Sequence, residues 1–246
     1  MGVVPLIGNL DVAASLRRLS GLAQRVVHLA PPNSTGQADQ RTQALLRALR
    51  LRTSPTTLVY GSTSGVYGDC CGALVAETRA VNALTDRGVR RVDAETRVRH
   101  WGRATVAHAC VLRIPGIYAP DRDGGTPRAR LLKALPVLQP DQDVYTNHIH
   151  ADDLARACMR ALWLGRAQRI YNLCDDSTLK MGDYFDLAAD LYGLARPPRI
   201  SRQDAAQVLS PMQLSFMGES RRLDNTRMKT ELRLQLRFPD VRMGLL

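Results

Sequence analysis

Three hydroxyl side chains and a phenol stand together in Ser62-Thr63-Ser64-Gly65-Val66-Tyr67-Gly68, directly behind the run Thr56-Thr57-Leu58-Val59-Tyr60. Hydroxyls at the end of a strand either hold the reacting oxygen of a small molecule or close a hydroxyl-rich turn. His148-x-His150 puts two imidazoles on one strand face with Asp152 behind them, which begins a metal-site pattern. No third ligand follows at a convincing spacing, so no metal is expected. His28 lies in a short apolar run and reads as a core histidine. The five cysteines, Cys70, Cys71, Cys110, Cys158 and Cys174, include no Cys-x-x-Cys, which excludes a zinc ribbon or a thioredoxin-type pair. Cys110 and Cys158 fall in apolar patterns and read as core residues, and Cys70-Cys71 as free, exposed thiols. Arg221-Arg222 is read as a solvated surface pair.

Positioning these groups requires a frame, and the hydrophobic pattern supplies one. Gly2-Val3-Val4-Pro5-Leu6 suits a strand end, and a helix is expected over about Ala13–Leu22 with Asp11 as its N-cap. Val26-Val27-His28-Leu29-Ala30 suits a strand buried on both faces. Helices over about Gln40–Leu51 and Val89–Arg103 then alternate with strands Thr56–Tyr60 and Val106–Ile114. That alternation predicts an α/β fold with a doubly wound parallel sheet built from βαβ crossovers. Further on, a polar loop over Asp121–Pro127 leads to a basic helix through Leu131-Leu132. Asp152-Asp153 are placed to cap a helix whose apolar face is Leu154, Cys158, Ala161 and Leu162. A strand at Arg169–Leu173, a helix at Met181–Tyr192 and helical fragments after Pro197-Pro198 complete the chain. Residues 1–118 are read as the sheet domain. Residues 119–246 are read as a smaller substrate-side lobe that returns one strand and helix to the sheet.

The chain carries 34 Lys and Arg against 23 Asp and Glu, a net charge of +11. Only Lys133, Lys180 and Lys229 are lysines, which is the bias of a GC-rich bacterial coding sequence. The arginines are dispersed and aromatic residues are scarce, so a nucleic-acid partner is not expected. No apolar run is long enough to span a bilayer, and the first residues lack a basic flank and a cleavage site. A cytoplasmic protein with reduced cysteines is expected, with a small-molecule substrate and a homodimer as its assembly.

Four segments, Val26–Ala30, Ser62–Gly68, Leu112–Tyr118 and His150–Ala155, occur in the order found in short-chain dehydrogenase/reductases. The chain resembles the extended kind, the NAD-dependent epimerase/dehydratases, and within it an atypical bacterial subgroup. The resemblance covers nearly the whole chain and favours the active-site reading of the Ser62–Gly68 loop. It implies a Rossmann-like fold that binds NAD or NADP at the carboxyl ends of parallel strands. By this likeness Asn9 and Leu10 lie beside the adenine, and Ala30 and Pro31 under the cofactor. Ser62 lines the same site, and Ile114, Pro115 and Gly116 lie near the nicotinamide. Asn147 and His148 would face the substrate.

The chain departs from the family pattern in two places. No G-x-x-G-x-x-G heads the sequence, whose start aligns with the family's third strand. Roughly 30 residues of a βαβ unit or somewhat more are expected to be missing, through a late start codon or a truncated gene. Weak dinucleotide binding and marginal stability are then expected. The second departure is chemical. Thr63 matches the family's Ser/Thr, but aligning Glu95 with the family's acidic residue puts Arg87 at the catalytic Tyr and Arg91 at the Lys. Arg91 can bind a ribose or phosphate but is a poor proton donor. Tyr67 is the nearest alternative acid/base. Three readings follow: an oxidoreductase on a sugar- or nucleotide-like substrate using Thr63, Tyr67 and Arg91; an inactive dinucleotide-binding or regulatory protein; or a non-functional truncated product.

Overall fold

The structure, a computed structural model, describes residues 2–246 apart from the side chain of Met212. Met1, the first residue of the segment read above for a leader, lies outside them. In chain order the elements are β1 (Arg25–His28), α1 (Gln40–Ala48), β2 (Thr57–Thr63), β3 (Leu74–Val75), α2 (Asp86–Thr105), β4 (His108–Ile114), β5 (Gly116–Tyr118), α3 (Arg128–Leu132), β6 (Val137–Leu138), β7 (Tyr145–Thr146), β8 (His148–His150), α4 (Ala151–Leu164), β9 (Ile170–Asn172), β10 (Leu179–Lys180), α5 (Met181–Tyr192), β11 (Arg199–Ile200), α6 (Arg202–Val208), α7 (Pro211–Met217), β12 (Arg222–Leu223) and α8 (Thr226–Glu231). Two compact units, each discontinuous in sequence, share these elements. One comprises Met1–Val66, Ala83–Arg113 and Cys158–Tyr171, the other Tyr67–Asn82, Ile114–Ala157 and Asn172–Leu246. No helix among the described residues is long and apolar enough to cross a membrane.

The first unit is built on a parallel sheet of order β1-β2-β4-β9, with β1 and β2 paired in the register Val26↔Leu58 and His28↔Tyr60. This is the expected α/β architecture. Leu58, Val59 and Tyr60 are wholly buried in β2, each fully buried apolar side chain stabilising by about 1.5–3 kcal/mol. Leu45, Leu46 and Leu49 pack with Ala94, Val98 and Trp101 of α2 over this sheet. Close approach is enforced at Gly102, where an added Cβ would lie 2.5 Å from Ala109 Cβ.

The element ends differ from the sequence pattern for identifiable reasons. Gly2–Leu6 is irregular and exposed, and Ala13–Leu19 forms a 3-10 turn rather than an α-helix. Asp11 does not cap that turn, because its carboxylate is held by the Arg41 fork at 2.6 and 2.7 Å. Helix α1 stops at Ala48. Helix α2 starts three residues early because Thr85 accepts from the Gly88 N–H, and it ends where Val106 turns left-handed with φ 56°. Strand β4 therefore begins at His108. The helix and strand at Met181–Tyr192 and Ile170–Asn172 fall where the pattern put them.

The second unit packs Tyr118, Val137, Leu138, Val144, Met181, Tyr184 and Phe185 into one core. Strand β5 pairs in parallel with β8, setting Gly116 opposite His148 and Tyr118 opposite His150. Asp153 lies in the first turn of α4, but its carboxylate accepts from the backbone N–H groups of Arg237 and Phe238 and caps that tail. Cys71 is exposed as expected, whereas Cys70 is buried beneath the turn.

Candidate functional site

In the first unit the chemistry-bearing residues gather at the carboxyl end of β2. Ser62 is buried and donates to Glu95 Oε1 at 2.6 Å. Glu95 in turn takes a two-pronged contact from Arg113, Nε at 3.1 Å and Nη2 at 2.7 Å, with both side chains almost excluded from solvent. A charged carboxylate in the interior needs that number of donors to be tolerated. Ser62 is thereby committed to anchoring the loop. Thr63 is half-buried, and its Oγ1 accepts from the Gly65 N–H at 3.2 Å. That bond leaves the Thr63 proton available to a ligand oxygen.

Arg91 reaches the same strand end from the second turn of α2. Its Nη1 donates to the Gly61 carbonyl at 2.6 Å and to Tyr60 Oη at 3.0 Å. The Nε and Nη2 donors of this half-buried side chain have no partner among the described residues. Burial pushes the Tyr60 phenol up to about 12, against the lowering influence of Arg91. Arg87, one turn earlier, is exposed.

Beside this lies a relay that the sequence pattern did not reveal. Thr42 donates to Asp39 Oδ2 at 2.6 Å, so His28 Nε2, 2.9 Å from Thr42 Oγ1, must be the donor in that contact. Desolvation pulls His28 down to about 4, leaving it neutral. Asp39 also accepts from the Thr42 N–H. It thus fills the N-terminus of α1 with a carboxylate, as Thr85 fills that of α2 with a hydroxyl. The signal for the first was Asp39 three residues before Thr42.

Other expected site residues take varied positions. Asn9 is exposed, and Leu10 packs on the helix–sheet core. Ala30 is half-buried and Pro31 exposed, its carbonyl 3.4 Å from Arg41 Nη1. In the second unit Ile114 and Pro115 are half-buried, and Gly116 lies close enough to Asn147 O for an added Cβ to sit at 3.4 Å.

Three expectations require correction. Tyr67 is 1% exposed and donates to Asn172 Oδ1 at 2.7 Å, so its phenol ties the core instead of meeting a substrate. Asn147 spends its amide on the chain itself, donating to Arg221 O at 2.9 Å and accepting from the Leu223 N–H at 2.8 Å. His148 is buried and stacked on Tyr184 with centroids 4.1 Å apart, and desolvation pulls it down to about 4. Among the described residues no cluster of three metal-ligating side chains is present. The second unit also carries an open cleft of about 750 Å³ lined by Asp69, Cys71, Asp143, Tyr145, Lys180 and Arg202 among others.

The chain belongs to the NAD dependent epimerase/dehydratase family, whose sequence pattern matches residues 22–174. A functionally unknown conserved protein from Silicibacter pomeroyi is similar at 30% identity over 90% of this chain and 75% of its own, with a TM-score of 0.78. RMD from Pseudomonas aeruginosa, solved with NADPH, superimposes with a TM-score of 0.79 at 20% identity, covering 99% of this chain and 87% of its own. UDP-glucuronic acid 4-epimerase from Bacillus cereus, solved with NAD, gives 0.73 at 18% identity over 94% and 74%. The last two establish the shared fold. No curated protein matches the chain in sequence.

Proposed function

We propose that the protein is an NAD(P)-dependent oxidoreductase of the epimerase/dehydratase kind, acting on a sugar- or nucleotide-like small molecule through a site without the Tyr-x-x-x-Lys pair. The observation that carries this reading is the half-buried Thr63, its proton uncommitted, two residues from the carbonyl that Arg91 grips. RMD and the Bacillus cereus epimerase, solved with NADPH and with NAD, support the cofactor class. The nicotinamide end of a dinucleotide fits these residues: the open Arg91 fork suits ribose hydroxyls or a phosphate, and Thr63 suits the substrate oxygen. The N-termini of α1 and α2 do not fit a pyrophosphate, since Asp39 and Thr85 already occupy them. When bound, the nicotinamide supplies reversible hydride acceptance. The five cysteines form no disulfide, which supports a reducing cytoplasm as the working compartment.

A second reading, a dinucleotide-binding protein without turnover, is favoured by the buried Tyr67 phenol and by arginines at both positions where the family has Tyr and Lys. One experiment separates the two. NADH and NADPH binding is measured by calorimetry, and turnover is assayed on a panel of nucleotide sugars. Binding with turnover lost in Thr63→Ala supports the oxidoreductase, binding without turnover on any substrate supports the second reading, and no binding overturns both.

A further inference from the structure

A half-buried guanidinium ordinarily has a counter-charge, because an unpaired charge held away from water is costly. Arg91 has none among the described residues. The carboxylates that follow it on its helix are engaged elsewhere: Asp93 with Arg97 at 2.7 Å and with the Asp39 N–H, and Glu95 with Arg113 and Ser62. Asp39 is taken up by Thr42. What holds Arg91 instead is neutral, a carbonyl and a phenol, and both take the same nitrogen. One edge of the fork is fixed to the strand end and the other is left open. Two residues along the same strand, Thr63 has a hydroxyl proton to give. A planar fork anchored at Gly61 and a hydroxyl donor two residues along the same strand suit the oxygens of a phosphate or carboxylate.

We infer that Arg91 and Thr63 form an oxyanion subsite at the carboxyl end of β2, which takes a phosphate or carboxylate group and is positioned by Tyr60 and the Gly61 carbonyl. The inference rests on reading this strand end as the functional site, and it gives that site a requirement: its ligand is anionic where it meets β2. The group belongs either to the dinucleotide or to the substrate.

The test is calorimetric titration of the full chain with inorganic phosphate and pyrophosphate at constant ionic strength, without any turnover assay. Saturable binding is expected, weakened about tenfold or more in Arg91→Gln, as the loss of charge-assisted bonds requires, and partly kept in Arg91→Lys. Equal binding by wild type and Arg91→Gln, or no saturable binding, overturns the subsite. Should Arg91→Gln fail to fold, the wild-type side-chain NMR signal of Arg91 Nε decides. It must shift with phosphate and stay put with chloride at the same ionic strength, and the reverse overturns the proposal. Competition between pyrophosphate and NADPH assigns the group to the cofactor, and simultaneous binding assigns it to the substrate; either supports the subsite. Phosphate binding in a protein that turns over nothing leaves the subsite standing and removes only the oxidoreductase reading.

Discussion

Glu95 and Arg113 meet inside the first unit through two parallel contacts, with side chains only 6% and 3% exposed, and the Ser62 hydroxyl closes the third position on the carboxylate. Removing one member of such a pair leaves the other charge buried and unpaired. Glu95→Ala is therefore expected to destabilise the protein by about 3–5 kcal/mol, measured by urea unfolding. A loss below about 1 kcal/mol, the scale of an exposed pair, would show that the pair is solvated. Replacing Glu95 and Arg113 together with apolar residues of similar volume should recover most of the loss.

Thr63 offers a sharper separation of binding from chemistry. Its Oγ1 makes only a weak turn contact with Gly65, so Thr63→Ala should fold normally. Turnover should fall by about a hundredfold, the scale of losing one positioned donor, with cofactor affinity unchanged where the anionic group at β2 is the substrate's. Undiminished turnover in Thr63→Ala removes the role given to this hydroxyl.

Asp175 sets a pH dependence. Burial pushes its carboxyl from 3.8 up to about 8, against the lowering influence of the Ser177 backbone and side-chain hydrogen bonds. The folded state thus holds a proton that the unfolded chain releases, so this contribution is fully present below 3.8 and is lost as pH rises to about 8. His148 works the other way: it is pulled from 6.5 down to about 4, so its contribution is present above 6.5 and lost as pH falls. His28, pulled down to about 4 as well, acts in the same direction, so two histidines oppose Asp175 between about 4 and 6.5, and above that the decline set by Asp175 is left. Stability should decline from pH 6.5 to 8 in thermal melts, and Asp175→Asn should flatten that decline. A wild-type curve that rises over this interval would refute the assignment.

Thiol chemistry should be selective. Cys71 is the exposed cysteine, whereas burial raises the thiols of Cys70, Cys110, Cys158 and Cys174. Because the thiolate is the reactive form, a disulfide reagent should titrate one thiol quickly in the native protein and the rest only on unfolding. Cys71→Ser should abolish the fast phase; two fast thiols would mean that Cys70 is accessible as well.

The fold was legible where the pattern was long and unmixed. Val26-Val27-His28 and Leu58-Val59-Tyr60 lie side by side in a parallel sheet, their apolar runs unbroken but for His28, whose ring is satisfied by Thr42. Boundaries were less legible, since they depend on partners far along the chain. Asp11 is drawn to Arg41, thirty residues away, and so cannot cap the turn behind it. The site was legible in part. Spacing drew attention to Thr63 and Arg91, yet nothing local in Ser-Thr-Ser-Gly-Val-Tyr announces that the phenol of Tyr67 points to Asn172, 105 residues on. Asn147 was misread for the same reason: its two partners, Arg221 and Leu223, come from the end of the chain.

The left-handed Val106 at the end of α2 has a practical use. Helices commonly end on glycine at such a position, whereas here a β-branched residue adopts the strained conformation with its side chain 91% exposed. Nothing is gained there by the isopropyl group, so Val106→Gly is a route to a sturdier protein at a position outside the site. A gain of about 1 kcal/mol corresponds to a melting temperature higher by about 2–4 °C in a chain of this size. That margin would provide a steadier background in which to assay Arg91 variants.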